Sequence, residues 1–202
     1  MLPHVQDPPK RLVRTTQNSM THCTRLIAFL RAINVGGHNV TMAELRGLFE
    51  GLSLKEVDTF IASGNVIFAS RSKDTRTLQQ KIESQLLQSL GYEVKVFLRT
   101  VPEVGAIARY KPFNESQLSF AAALNVAFLA DPLDAGAEKS IMALKTEIDD
   151  FHVYGREVYW LCKTKQSDSK FSNARFEKMV NARATWRNMN TVVRLAAKYE
   201  SE

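Results

Sequence analysis

Two groups of polar residues and glycines in the first third of the chain have the residue types of an anion site. One group follows the first long apolar run and precedes a helix signal, and the other separates two further apolar runs. Backbone amides at a helix N-terminus, combined with an arginine, commonly bind a phosphate or a carboxylate. The two groups together predict a ligand site made of Arg31, Asn34, Gly36, Gly37, Ser63, Gly64 and Asn65.

The glycine pair does not belong to a nucleotide-hydrolysing phosphate loop. That loop, G-x-x-x-x-G-K-[ST], needs a lysine and a hydroxyl residue at the helix start, where this chain has His38, Asn39 and Val40. The dinucleotide fingerprint G-x-G-x-x-G is absent as well. A plainer interpretation also stays open: Gly36 and Gly37 supply positive φ angles for a tight strand-to-helix turn.

The C-terminal segment 163–202 is basic, with nine bases against four acids and a net charge of +5. It interleaves Lys170 and Arg187 with Phe171 and Trp186, and phosphate attraction beside base stacking suits single-stranded nucleic acid. Two structural interpretations compete with that function: a solvated basic helix face, and aromatic rings that belong to the core. Lys170, Asn173, Arg187 and Asn188 complete the set of candidate ligand-binding residues.

The elements that position these residues follow from hydrophobic periodicity and capping signals. Residues 21–100 predict the order β-α-β-β-α-β, which is that of a ferredoxin-like unit. A linking helix and a connection occupy 101–122. Residues 123–202 repeat the order, including a helix over 134–148, and add a C-terminal helix. The predicted fold is therefore α+β, with two tandem ferredoxin-like halves packed as one compact unit.

The same topology explains why the two polar groups should meet. A right-handed helical crossover makes the first two strands of a unit parallel, so that both end at one edge of the sheet. The central strands are apolar on both faces, as in the run from Leu26 to Ile33 and the run from Val158 to Cys162. A strand of this kind needs cover on both sides, and we expect each half to cover the other.

Composition narrows the class of protein. The 202 residues are 45% hydrophobic and 24% charged, with a net charge of +6, as in a globular protein with a sizeable core. Every apolar run is too short to span a membrane. The two cysteines, Cys23 and Cys162, are no disulfide framework, and the four histidines lack metal-ligand spacing. We predict a cytoplasmic protein without a metal or cofactor, preceded by a disordered extension over residues 1–20.

Four stretches resemble the bacterial family of proteins of unknown function numbered 1697. They are FLRAINVGGHNVTMAELRGLFEGL, TFIASGNVIF, VYGREVYWLC and SKFSNARFEKMVNARATWRNMNTVVRLA, and they span about residues 25 to 197. The resemblance implies a cytosolic protein of duplicated ferredoxin-like architecture, and it brings no established activity or catalytic residue. All the candidate ligand-binding residues named above match the family pattern. The family more often has a glycine where this chain has Ala32.

Three hypotheses for the function follow. The first is a protein that binds an anionic ligand, either a nucleotide-like molecule or nucleic acid. The second is an enzyme of unknown reaction in which Ser63 or Lys170 is reactive, while Asn65 and Arg187 orient an oxyanion. The third is a structural or interaction module without small-ligand chemistry. The sequence leaves the oligomeric state open.

Overall fold

A computed structural model of the chain describes residues 23–61 and 64–201. Ser63 and the predicted N-terminal extension lie outside the described residues. The strands are β1 (Thr24–Arg31), β2 (Lys55–Thr59), β3 (Asn65–Ser70), β4 (Lys95–Thr100), β5 (Ala123–Leu129), β6 (Asp149–Tyr154), β7 (Glu157–Cys162) and β8 (Ala184–Asn188). The α-helices are α1 (Met42–Glu50), α2 (Thr75–Leu90), α3 (Val101–Arg109), α4 (Glu115–Ser119), α5 (Ala135–Met142), α6 (Asn173–Val180) and α7 (Met189–Tyr199).

The strands form two four-stranded sheets with the same internal order. The first sheet has the order β2-β3-β1-β4 and the second has β6-β7-β5-β8. Every neighbouring pair is antiparallel. Since β1 and β2 both run antiparallel to β3, they are parallel to each other, as the crossover rule predicts. The fold is therefore α+β, and each half of the chain contributes one sheet.

Side-chain caps fix where several helices begin. Thr41 and Glu44 form a capping box at the start of α1, and Thr100 and Glu103 form another at the start of α3. In each box the threonine hydroxyl accepts from the N3 amide and the glutamate accepts from the N-cap amide. Asp74 accepts hydrogen bonds from two amides at the start of α2. All three caps use residue types that are typical of helix N-termini.

The main core lies between the inner faces of the two sheets. Phe29 of β1 stacks on Phe128 of β5, with ring centroids 3.8 Å apart and planes inclined by 10°. Helices α3 and α7 complete this core, and a separate cluster covers the outer face of each sheet. Burial on both faces explains why strands such as β3 and β7 are apolar at consecutive positions.

The prediction of a helix over residues 134–148 is wrong in its second half. Helix α5 ends at Met142, and β6 begins at Asp149, which is 3% exposed. The Asp149 carboxylate accepts hydrogen bonds from the Trp160 indole and the Ser169 hydroxyl. These tertiary bonds hold residue 149 in the sheet, so the apolar periodicity at Leu144 does not continue the helix. In the stretches 23–61 and 64–201, no helix is long and apolar enough to cross a bilayer.

Candidate functional site

The end of β1 lies directly beside the start of β3, as the sequence predicts for the two polar groups. The amide of Leu30 donates to the carbonyl oxygen of Gly64 at 2.8 Å. Asn65, the first residue of β3, is fully buried, and its Nδ2 donates to the carbonyl oxygen of Phe60 at 3.0 Å. The corner therefore exists, but its polar groups point largely into the protein.

Arg187 of β8 fills this corner from the second half of the chain. Its side chain is buried, and all five of its N–H groups donate hydrogen bonds. The acceptors, at 2.7 to 3.1 Å, are Asn65 Oδ1, Thr185 Oγ1 and the carbonyl oxygens of Leu30, Gly64 and Trp186. None of these acceptors is a carboxylate, and burial lowers the pKa of Arg187 to about 10. Arg187 thus fastens the two halves together and has no donor left for a ligand.

Arg99 of β4 makes the reciprocal contact with the second half. It is 1% exposed, and its Nη2 donates to the carbonyl oxygens of Leu129 at 2.8 Å and Arg156 at 3.3 Å. Leu129 and Arg156 are joined by a backbone hydrogen bond that corresponds to the bond between Leu30 and Gly64. Nε of Arg99 donates to Glu157 at 2.7 Å, where Arg187 has an asparagine. We call the two arrangements the arginine clasps.

The glycine loop between β1 and α1 is exposed and is closed by Asn34. Oδ1 of Asn34 accepts from the amide of Val40 at 2.7 Å, and Nδ2 of Asn34 donates to the carbonyl oxygen of Val40 at 3.3 Å. Gly36 and Gly37 have φ angles of +67° and +89°, and a Cβ at either position would meet no atom within 4 Å. Ala32 also has a positive φ, +61°. The glycines therefore serve the turn and leave open space beside it.

Arg31 pairs with a carboxylate from the second half of the chain. Nε and Nη2 of Arg31 donate to the two oxygens of Glu177, at 2.6 and 2.8 Å. Glu177 of α6 also accepts from the Ala184 amide at 2.9 Å and from Arg183 Nη1 at 3.2 Å. Burial alone would raise the pKa of Glu177, but the bonds from Arg31 and Ala184 outweigh it and hold that pKa below its ordinary value. One ionised carboxylate thus bridges two arginines.

These residues line a surface cavity of about 430 Å³, which we call the basic groove and define by Arg31, Glu177, Lys178, Asn181 and Arg183. Three cations and one carboxylate give it a local charge of +2. In the described chain no group accepts from Nη1 of Arg31 or from Nε and Nη2 of Arg183. The outward N–H groups of the two arginines therefore remain available to an anion.

A further acidic residue lies near the groove and is already paired. Glu93 contacts Lys95 at 2.9 Å. The hydrogen bond from Lys95 is the main cause that lowers the pKa of Glu93, and the charges of Arg183 and Arg31 contribute a smaller part. Lys95 also contacts Glu83 at 3.5 Å, so Glu93 is only partly balanced and offsets part of the positive charge of the groove.

The remaining predicted site residues are spread over the second half. Asn173 lies beside the groove, where it accepts from the Trp186 indole at 3.0 Å and donates to Glu177 at 3.5 Å. Asn188 caps α7, and Lys170 is exposed. The structure therefore brings Arg31, Gly64, Asn65, Asn173 and Arg187 to one seam between the halves and leaves Asn34, Gly36, Gly37, Lys170 and Asn188 away from those contacts.

Sequence reasoning missed the two groove residues Glu177 and Arg183. Glu177 had a detectable signal, since it lies on the core-facing side of α6 together with Phe176 and Val180. A glutamate on the apolar face of a short helix indicates a buried carboxylate, and such a group needs a cationic partner. Arg183, at the start of a short strand, had no comparable signal.

A contact centred on Tyr199 joins the C-terminal helix α7 to β2. Tyr199 donates to Oδ2 of Asp58 at 2.6 Å, and Lys198 donates to the same oxygen at 2.9 Å. Burial opposes ionisation of Asp58, but the bonds from Tyr199 and Lys198 prevail and lower its pKa to about 2. This ion pair ties the end of the chain to the first sheet. No group of His, Cys, Asp and Glu suited to a metal ion occurs in the described part of the chain.

Comparisons with known proteins agree with this architecture. The model of the family "Protein of unknown function (DUF1697)" matches residues 23–159, and the chain belongs to that family. A solved structure, described as the conserved bacterial protein SP0830 from Streptococcus pneumoniae, superposes with a TM-score of 0.70 at 22% identity. The match covers 89% of this chain and 99% of that one, and it shows a shared fold. No curated protein matches.

Proposed function

We propose that this family member binds a small oxyanion, a phosphate or a carboxylate, in the basic groove. The observation that carries the proposal is the bridge of Arg31, Glu177 and Arg183, with Lys178 beside it. The shared carboxylate fixes both guanidinium groups while several of their N–H groups stay unpaired. Planar guanidinium groups that are fixed in this way suit an anion with two or more oxygens.

A small anion is favoured over single-stranded nucleic acid by the positions of the aromatic rings. Binding of unpaired bases needs exposed rings on which the bases stack. Phe171 and Trp186 instead pack on the outer core of the second sheet, with ring centroids 5.4 Å apart. The exposed bases of segment 163–202 then supply general positive charge without a stacking surface.

The test is calorimetric titration with inorganic phosphate, succinate, adenosine monophosphate and a short oligothymidylate, at low and at high ionic strength. We expect at least one small anion to bind and Arg183→Gln to weaken that binding about tenfold or more, the value of one charge-assisted hydrogen bond. Arg183 has a side chain that is 60% exposed, so its replacement should leave the fold intact.

Arg175→Gln provides a matched control, because Arg175 is an exposed arginine on α6 that lies outside the groove. It should leave the affinity for small anions unchanged. Absence of binding by every small anion at low ionic strength would end the proposal. Equal losses of affinity from Arg175→Gln and Arg183→Gln would show that binding depends only on the general positive charge of the surface. Binding of the oligothymidylate alone would favour a nucleic-acid function.

We also infer that residues 21–100 and 123–202 are two ferredoxin-like units produced by duplication, joined by the connection 101–122. The identical strand orders support this inference. So do the two arginine clasps, in which Arg99 and Arg187 occupy the fourth strand of their halves and reach equivalent backbone positions. Either half expressed alone, without its partner clasp, should fail to form a stable sheet by circular dichroism.

A further inference from the structure

A cavity of about 350 Å³ lies between α3 and the β6–β7 hairpin, and it shares no residue with the basic groove. We call it the tyrosine cavity, and its lining includes Tyr110, Tyr154 and Tyr159 together with Ile107. Tyr110 stacks on Tyr154 with ring centroids 4.3 Å apart. Its size and its aromatic walls are typical of sites for small molecules.

The hydroxyl of Tyr159 is an unused donor in this lining. Tyr159 is 0% exposed, and within residues 23–61 and 64–201 its hydroxyl has no hydrogen-bond partner. Burial raises the pKa of Tyr159, so the hydroxyl keeps its proton at neutral pH. Buried polar groups in proteins nearly always have a partner, and an unpaired one destabilises the fold.

The equivalent place in the first half shows that packing does not require this hydroxyl. Tyr159 pairs with Val126 across the second sheet, and Ile67 pairs with Ile27 at the corresponding place in the first. An isoleucine therefore fills the position in one half and a tyrosine in the other. The surroundings otherwise correspond, since the contact of Tyr110 with His152 at 2.7 Å matches that of Tyr199 with Asp58.

The charges around the cavity cancel. Arg99 pairs with Glu157, and Arg156 pairs with Glu103, both at 2.7 Å. The cavity therefore combines aromatic walls with no net charge and one unpaired donor. We propose that the tyrosine cavity binds an uncharged, planar heteroaromatic molecule that accepts a hydrogen bond from Tyr159.

Tyr154 is the exposed aromatic residue in the lining of the tyrosine cavity. Solvent does not reach the Tyr159 hydroxyl, so a neighbouring side chain has to move when the ligand enters. Tyr154 is 57% exposed, and its contact with Tyr110 is a ring stack rather than a hydrogen bond. Its ring can swing outward at the surface and can then stack on the ligand.

The experiment titrates the full chain with nicotinamide and with adenine, and with indole as a planar probe without a comparable acceptor. The variant Tyr159→Phe removes only the hydroxyl. We expect it to melt at a higher temperature than the unsubstituted protein, because the unpaired group is gone, and yet to bind nicotinamide or adenine about tenfold more weakly. Its affinity for indole should not change.

Tyr92→Phe is the matched control, because the Tyr92 hydroxyl donates to the carbonyl oxygen of Ile33 at 2.7 Å. It should lower the melting temperature and leave the affinity for all probes unchanged. Tyr154→Ala, at an exposed position, should weaken the binding of every probe. The proposal fails if neither heterocycle binds, if Tyr159→Phe binds them as tightly as the unsubstituted protein, or if it melts at a lower temperature.

Discussion

Replacing Arg187 with methionine tests whether this residue serves the fold or a ligand. The substitution removes five hydrogen bonds, and those to Asn65, Leu30 and Gly64 join the two halves. Two acceptors keep another donor, since Leu30 O still accepts from Thr185 and Gly64 O still accepts from the Leu30 amide. Asn65 Oδ1 loses the hydrogen bond from Arg187, and a hydrogen bond to a charged donor contributes about 1.5–3 kcal/mol.

Two further effects determine the net change in the free energy of unfolding. The guanidinium also lies over the Phe29 ring, 5.8 Å from its centroid, and this contact contributes about 1 kcal/mol. Removing a buried charge that has no acidic partner offsets part of the loss. We therefore expect Arg187→Met to lower the free energy of unfolding by about 2–4 kcal/mol, a large part of the stability of an ordinary domain.

The reciprocal clasp supplies the comparison. Arg99→Met leaves the carboxylate of Glu157 buried without its cation and should cost about 3–5 kcal/mol. Adding Glu157→Gln should restore part of that loss, and adding Asn65→Leu to Arg187→Met should act in the same way. Urea denaturation gives the free energy of unfolding of each variant. The unsubstituted protein and the single substitutions Glu157→Gln and Asn65→Leu complete the two double-mutant cycles. A loss below about 0.5 kcal/mol for Arg187→Met, the level of an ordinary surface substitution, would refute the structural role.

Four other substitutions test local features of the fold. Gly64→Ala should lower the free energy of unfolding in urea by about 2–3 kcal/mol, since the φ of Gly64 is +72° and the new Cβ would lie 2.7 Å from Ile33 Cγ2. Gly37→Ala should lower it by only about 1 kcal/mol, because the space around Gly37 is open. Ala32→Gly should raise the melting temperature and stabilise by about 0.5–1 kcal/mol, because glycine accepts the φ of +61° without strain. Asp58→Asn should cost about 1 kcal/mol near neutral pH, after allowance for solvent screening. Because the pKa of Asp58 is lowered to about 2, that difference should disappear in denaturation curves recorded as the pH falls from about 4, the ordinary value, toward 2.

The sequence was sufficient for the order of the strands and of the other helices, because these depend on local patterns, whereas the short helix α4 was expected to be part of the connection. Apolar periodicity and the capping boxes at Thr41 and Thr100 mark most helix and strand limits within a few residues. The parallel course of β1 and β2 then places Gly64 beside Leu30, which the structure confirms. Helix α5 is shorter than predicted because the bonds to Asp149 come from residues far along the chain.

The polar contacts between the halves were beyond prediction from one sequence. Arg31 and Glu177 are 146 positions apart, and Asn65 and Arg187 are 122 apart. No local pattern indicates which buried arginine meets which acceptor across an interface between two sheets. Residues of the right chemical type were therefore found, but their pairing was not, and the pairing decides whether an arginine is available to a ligand.

The pairing also distinguishes candidate residues whose donors are all bonded within the protein from those that keep a donor for a ligand. Arg187 and Asn65 were both predicted as ligand-binding residues, yet their contact with each other fastens the two halves. If they oriented an oxyanion, as the enzyme hypothesis requires, a donor of Arg187 would have to leave its carbonyl partner. Arg183 and Tyr159 keep unused donors instead, the first at the surface and the second buried in the lining of the tyrosine cavity. Substitutions at Arg183 and Tyr159 should therefore change ligand binding with little loss of stability, whereas substitutions at Arg187 and Asn65 should act on stability first.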